Sequence, residues 1–297
     1  MKELLQLLIN GSVTGSILAL AAVGISLVYG VLKLVNFAAG DYLTFGAYTA
    51  FVFNYTLKLP LFLSILVSMV AVSLLGIILD LAVWRQLRKN KAGQLAHFLT
   101  AIGIAFILRQ AISFGFGADN KQYRIDLTKV YRFSGVYISY AQVIVLSCSI
   151  GGVILFALFL ARTNLGKQMR AYSDNPTLAS VSGVNVEKIV IIVWIINGLL
   201  GAMAGVFQGL TQASFTVDMG WQLQLSIFAA VVLGSIGSAY GALIGGFLLG
   251  VLMELSTWSG FHGGLAGGYK PIVAFFVLVF VLLFRPQGIF GHQSRSI

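Results

Sequence analysis

The sequence predicts an all-α fold, a polytopic transmembrane helical bundle of about eight to nine spans, some of them broken or half helices. Three observations predict it. First, 58% of the 297 residues are hydrophobic and 9% are charged. A soluble domain carries about 25% charged residues, so this chain could not cover a globular surface with polar groups. Second, the mean hydropathy is +0.93, and the apolar residues fall in runs of the roughly 20 residues that one membrane crossing needs. Third, the 34 glycines sit mostly inside those runs. An ordinary cytosolic enzyme and a disordered tail are excluded, and little chain is left for a separate soluble domain.

The runs follow in order. The first covers 4–32; it lacks a basic leader beyond Lys2 and continues past Gly15, so it reads as a retained span and not a cleaved signal. The second covers 36–57. Pro60 opens the third, which ends near Trp84; proline suits a first helical position because it lacks only an orphan N–H. The fourth is 94–116, the fifth 140–161 and the sixth 189–210. Residues 221–258 are long enough for two spans broken around 234–241, or for a re-entrant pair of half helices. The last is 271–284.

Lys plus Arg number 19 against 9 acidic residues, a net charge of +10. On a soluble domain this would suggest nucleic acid; here the basic residues punctuate apolar runs, so no nucleic-acid partner is expected. Arg85, Arg88, Lys89 and Lys91 put one loop in the cytoplasm, and Arg162, Lys167, Arg170 and Lys188 put loop 162–188 on the same side. Loop 117–139 is then external, despite Lys121, Arg124, Lys129 and Arg132, which Asp119 and Asp126 partly balance. The N-terminus counts to the outside. Nine spans bring Arg285 and Arg295 inside. The basic excess also attracts anionic lipid heads.

Glycines spaced four apart (Gly11 and Gly15; Gly201, Gly205 and Gly209; Gly237, Gly241 and Gly245; Gly246 and Gly250) put bare backbone on one helix face. The cluster 234–250 is denser than packing demands and resembles the broken helices that line transport cavities.

No metal site, cofactor or catalytic group is expected. Cys148 is the single cysteine, so no intramolecular disulfide forms; His97, His262 and His292 have no metal-ligand spacing. Gly166-Lys167 lacks the earlier glycine of a P-loop and is followed by Gln168. No nucleophile elbow occurs. Ionisable residues inside spans are functional candidates because charge in lipid is costly. Asp41, Asp80, Arg109 and Glu254 qualify. Arg85 is the expected partner of Asp80, and Glu254 a candidate partner for Arg109.

Loop 162–188 is too polar to span. Asp174 or Asn175 can cap a short helix with Pro176 at its first position; Gly183 can stop it, and Asn185 can cap the sixth span. A helix of under two turns needs a partner surface. A capped surface turn and a rigid knob for a cytoplasmic motor are both open on these grounds.

Four blocks in order carry a family resemblance. GSILALAAVGISLVYGVLKLVNFAAGDYLTFGAY at 15–48, GKQMRAYSDNPTLASVSGVN at 166–185, AAVVLGSIGSAYGALIGGFLLGVLMEL at 229–255 and FRPQGIFG at 284–291 resemble the inner-membrane permeases of branched-chain and neutral amino-acid ABC importers. Among these the LivH-like permeases are nearest, and particularly their cyanobacterial NatD-type neutral amino-acid branch. Ala39 stands where the family usually has histidine, and Ala239-Tyr240 where it often has proline.

The resemblance implies a non-catalytic, multi-pass permease of the bacterial inner membrane, with residues 1–297 as one permease domain and 162–188 as its coupling loop. A periplasmic binding protein would deliver a neutral amino acid. A second homologous permease would complete the pore as a heterodimer, and two ATPase subunits would dock on the coupling loops. Asp174, Asn175, Pro176, Ala179 and Gly183 would form the knob. Gly166 and Arg170 would set the angle at which the loop leaves the fifth span. Gly237, Gly241, Gly245 and Glu254 would line the translocation path, with Asn36 and Asp41 near its cytoplasmic end. The same family fold serves urea import, and a self-sufficient secondary carrier or channel is the reading outside the family.

Overall fold

The computed structural model describes residues 2–125, 129–133, 135–260 and 265–290; Asp126, His262, Gly291, His292 and Arg295 lie outside them. α1 (Lys2–Leu32) is the central helix, with 89% of its apolar window buried. Its buried half begins at Gly11, so the first turns project beyond the bundle. After a left-handed Lys33, α2 (Ala39–Phe51) starts inside the protein and ends in a π-helical turn, Val52–Thr56. α3 (Leu61–Leu79), a second π turn (Asp80–Trp84) and α4 (Arg85–Lys89) make one continuous helix. α5 (Gln94–Phe116) follows Gly93.

A small antiparallel hairpin, β1 (Val130–Phe133) and β2 (Val136–Ser139), leads into α6 (Tyr140–Arg162). Ser139 and Gln142 cap α6 reciprocally, satisfying two orphan N–H groups. The polar loop holds α7 (Asn164–Asp174) and α8 (Pro176–Val181). α9 (Val186–Thr211), capped by Asn185, is the second central helix. α10 (Met219–Gly234) and α11 (Ala239–Leu255) form a tight hairpin, and a 3₁₀ turn opens α12 (Lys270–Phe284).

Among the described residues six helical stretches are long and apolar enough to cross a membrane: α1, α3–α4, α5, α6, α9 and the turn with α12. α10 and α11 are apolar but shorter. The bundle has two ends. One, the basic end, carries the C-terminus of α1, the α4–α5 turn with Arg88 and Lys91, and α7–α8. The other, the hairpin end, carries the first turns of α1, where Gln6 bonds Tyr137 of β2 through both its amide atoms.

Small residues set the core spacing. α1 and α11 run together backbone to backbone: a Cβ on Gly250 would collide with the backbone of Gly15, and one on Gly246 would come within 2.5 Å of Ala19 Cα. α9 meets α2 in the same way, with Gly205 against the Leu43 carbonyl. Such approaches let dispersion contacts hold helices where lipid removes the hydrophobic drive.

An internal repeat organises these contacts. Lys33 and Ala213, both left-handed, stand 180 residues apart, as do Gly40 and Gly220, Thr44 and Gln224, and the first residues of α2 and α10. α1–α2 and α9–α10 are thus two copies of one unit, run in opposite directions. The broken helices expected at 234–241 are placed elsewhere. The turn there is short, with Ser235 and Gly237 at φ 116° and 87°, and the buried interior helix starts are Ala39 and Met219. Of the glycines that suggested the break, Gly234, Gly241 and Gly245 serve the α10–α11 packing, while Gly246 and Gly250 face α1.

Candidate functional site

Two arrangements distinguish the molecule, a structured loop at the basic end and a polar cavity at the hairpin end; a buried ion pair lies between them.

Loop 162–188 is a pair of capped helices. Thr163 Oγ1 accepts from Gly166 N at 3.0 Å and starts α7, which the sequence reading did not anticipate. Its threonine cap was the available signal. Asn175 Oδ1, and not Asp174, caps α8 by accepting from Leu178 N at 3.0 Å; Asp174 is the last residue of α7. Pro176 takes the first position and Gly183, at φ 86°, ends the segment as expected. A Cβ on Gly166 would strike the Leu160 carbonyl, so the sharp α6–α7 turn requires glycine, and Arg170 donates to that same carbonyl. Ser173 Oγ donates to the Gly30 carbonyl of α1 at 3.0 Å. Gly237 sits beside them, its N–H donated to Ser26 Oγ of α1 at 3.1 Å. The loop is therefore fastened to the basic ends of α1 and α6 and lies against the α10–α11 turn.

Ala179 is only 5% exposed, so it braces the knob from within; the outward apolar side chains are Leu178 at 64% and Val181 at 81%.

The buried charges pair differently from expectation. The second π turn brings Asp80 inward, where it binds Arg88 in bidentate fashion at 2.7 and 3.0 Å and accepts from the Trp194 indole at 2.8 Å. Arg85 instead reaches Glu187 at 3.3 Å. The extra residue of the π turn rotates the helix, which puts Arg88 over the carboxylate. Arg109 pairs with Asp41, not Glu254: its Nε and Nη2 donate to the two carboxylate oxygens at 3.0 and 3.3 Å. The guanidinium also lies 4.5 Å from the centroid of the Trp221 ring.

This pair stands where α2 and α10 meet head to head. Gly40 N donates to Gln224 Oε1 at 2.5 Å, and Gly220 N donates to Thr44 Oγ1 at 3.0 Å, a reciprocal clasp of the two helix starts. Asp41 lies in the first turn of α2, where the helix dipole favours a carboxylate. Arg109 is about 22 Å along α5 from Gln94 at about 1.5 Å per residue, so Asp41 is far from the basic end. Asn36 is 1% exposed, its Oδ1 accepting from Ala38 N at 3.1 Å to turn the chain into α2.

Of the residues expected to line one passage, Glu254 alone borders the cavity at the hairpin end. Gly241 and Gly245 face the backbone of α10, Gly237 lies at the basic end, and Asn36 and Asp41 lie in the interior. Their separation follows from the α10–α11 hairpin, whose close approach uses the glycine face. The cavity, of about 430 Å³, is framed by α1, α9, α10, α11 and α12 with Gln142 of α6 at its rim. Glu254 is 6% exposed; its Oε1 accepts from Lys270 at 2.7 Å and from Thr14 at 3.0 Å. Lys270 is a partner the sequence reading missed, since it opens an otherwise apolar helix 16 residues further along the chain. Among the described residues no cluster of His, Cys, Asp and Glu could hold a metal ion.

The family match and the two branched-chain relatives span nearly the whole chain. The family described as "Branched-chain amino acid transport system / permease component" matches residues 7–282. The high-affinity branched-chain amino acid transport system permease protein BraD of Pseudomonas aeruginosa is 32% identical over 98% of this chain and 96% of its own. LivH, named as the corresponding permease of Escherichia coli K12, is 28% identical over 98% and 96%. Ribose import permease RbsC of the same organism is 33% identical over 44% of this chain and 42% of its own. Among solved structures, PsaBC from Streptococcus pneumoniae in complex with Fab superposes with a TM-score of 0.53 at 14% identity, covering 97% of this chain and 93% of that one, a likeness of fold. The chain belongs to the family of branched-chain amino acid transport system permease components.

Proposed function

We propose that the chain is the membrane permease subunit of an ATP-driven importer of branched-chain amino acids. The observation that carries this reading is the similarity to BraD and LivH over nearly the full length of both partners. Residues 1–297 serve as one permease domain in the bacterial inner membrane, crossing it nine times with the N-terminus outside. The crossings are α1, α2 with its π turn, α3–α4, α5, α6, α9, α10, α11 and α12. The basic end faces the cytoplasm, in keeping with Arg85, Arg88, Lys89 and Lys91 at the α4–α5 turn.

The chain carries no catalytic step. Two ATPase subunits bind ATP and dock on loop 162–188 of this chain and of a second, homologous permease, and a periplasmic protein delivers the amino acid. The docking contacts are Leu178 and Val181, exposed apolar side chains on a short capped helix. Movement of the ATPases reaches the spans because Ser173 and Arg170 bond to the ends of α1 and α6. Amino acid enters from the polar cavity beside Glu254.

Reconstitution tests this. Proteoliposomes holding the chain, a second permease, both ATPases and the delivery protein are expected to accumulate leucine only with ATP. Accumulation by the chain alone, driven by a proton or sodium gradient, would sink the proposal.

A further inference from the structure

The hairpin-end cavity pairs its charges in a way that leaves both of them unfinished. Thr14 and Lys270 both donate to Oε1 of Glu254, so Oε2 takes part in neither bond. The Lys270 ammonium has three N–H donors and spends one of them on Glu254. Among the described residues, the wall amides of Gln208, Gln212 and Gln222 make no side-chain hydrogen bond with another described residue, although they border the same space. Next to this polar set the cavity offers Val13, Leu18, Leu223 and Met253. A small concave site with an apolar wall and a few convergent polar groups is the usual form of a small-molecule site.

We propose that this cavity binds one neutral aliphatic α-amino acid as its zwitterion, a deepening that rests on the importer reading above. The α-ammonium donates to Glu254 Oε2, the α-carboxylate accepts from the remaining Lys270 N–H groups and the wall amides, and the side chain lies on the Val13, Leu18 and Met253 surface. The ligand inserts its own opposite charges beside an existing ion pair, so the site stays neutral whether empty or filled. A cation of the same shape would leave the site with a net positive charge, and an anion would leave it with a net negative one beside Glu254. A neutral balance of one carboxylate and one ammonium thus selects zwitterions. The volume of about 430 Å³ accommodates a leucine-sized molecule with its bridging waters.

The test uses the assembled importer in lipid nanodiscs without the delivery protein. Binding is read by saturation-transfer NMR for L-leucine, 3-methylbutylamine, which lacks the carboxylate, and 4-methylpentanoate, which lacks the ammonium. Leucine is expected to bind at least tenfold more tightly than either analogue, since each loses a charge-assisted contact. Glu254→Gln and Lys270→Met are each expected to weaken leucine by about tenfold while the size-exclusion profile stays unchanged. Equal binding of the three ligands to the unaltered protein, or unaltered leucine binding in both folded variants, overturns the site. If a variant fails to fold, the ligand series on the unaltered protein still decides. ATP-driven leucine uptake by the same complex, measured separately with the delivery protein present, reports on the importer reading. Uptake without the expected ligand discrimination would refute the site alone.

Discussion

Removing one partner of the Asp41–Arg109 pair is expected to destabilise the protein far more than removing both. The pair is bidentate, at 3.0 and 3.3 Å, and the aspartate side chain is 1% exposed. At 3.0 Å and an effective dielectric of about 20 the attraction is roughly 5 kcal/mol. Most of that only offsets desolvation, so the pair's net worth against an apolar replacement is small. A lone buried charge, by contrast, costs about 3–5 kcal/mol. Arg109→Met leaves a carboxylate eased by the α2 dipole, worth up to about 2 kcal/mol. Asp41→Asn leaves a guanidinium eased by Trp221, worth about 2 kcal/mol when desolvated. Each single change should therefore cost about 2–3 kcal/mol, and the double change should cost less than the sum by at least about 2 kcal/mol. The exchange Asp41→Arg with Arg109→Asp should not recover stability, because it sets a cation against the helix N-terminus and removes the Trp221 contact. Equilibrium unfolding of the purified protein in mixed detergent with SDS measures all four. Additive single effects, or full recovery by the exchange, would refute the account of how α2 and α10 are held.

Three further outcomes follow from other parts of the molecule. Leu178→Asp with Val181→Asp should weaken ATPase capture by at least tenfold in pull-downs without changing insertion, whereas Ala179→Arg should disrupt the knob itself and raise its protease sensitivity, because that residue is buried. Gly250→Val should push α1 from α11, since even a Cβ there meets the Gly15 backbone; a monodisperse size-exclusion peak with unchanged thermal stability would contradict it. In the loop before β1, burial pushes the Tyr123 phenol well above its ordinary value of 10.0, and its hydroxyl donates to the Ala47 carbonyl at 3.1 Å. A raised acid pKa means stability that is complete below pH of about 10 and lost as the pH climbs toward the folded value. Alkaline unfolding above that pH should thus be blunted in Tyr123→Phe, and equal alkaline sensitivity in both proteins would exclude this origin.

The sequence by itself determined most of the apolar helices and several of the caps. Fixed runs of apolar residues, Pro176, Asn175, Gly183 and Asn185 act within a few residues of themselves, so their consequences are legible locally: 94–116 was read with the bounds that α5 has, and α8 with its stop. Span 36–57 was legible as apolar but not as a helix starting inside the protein, because nothing local marks depth. The single residue that the π turn at Asp80–Trp84 adds was equally silent, and it decided that Arg88 and not Arg85 holds Asp80. The pairings of Arg109 with Asp41 and of Lys270 with Glu254 join residues 68 and 16 positions apart. They depend on how helices register against one another. The glycine spacing announced close helix contact, but which face was packed and which was open depended on α1 taking one side of α11 and α10 the other. Tertiary structure decided these points because a charge in a low-dielectric interior takes the partner that backbone packing brings within 3 Å or so, and a residue's own neighbours in sequence do not specify which one that is.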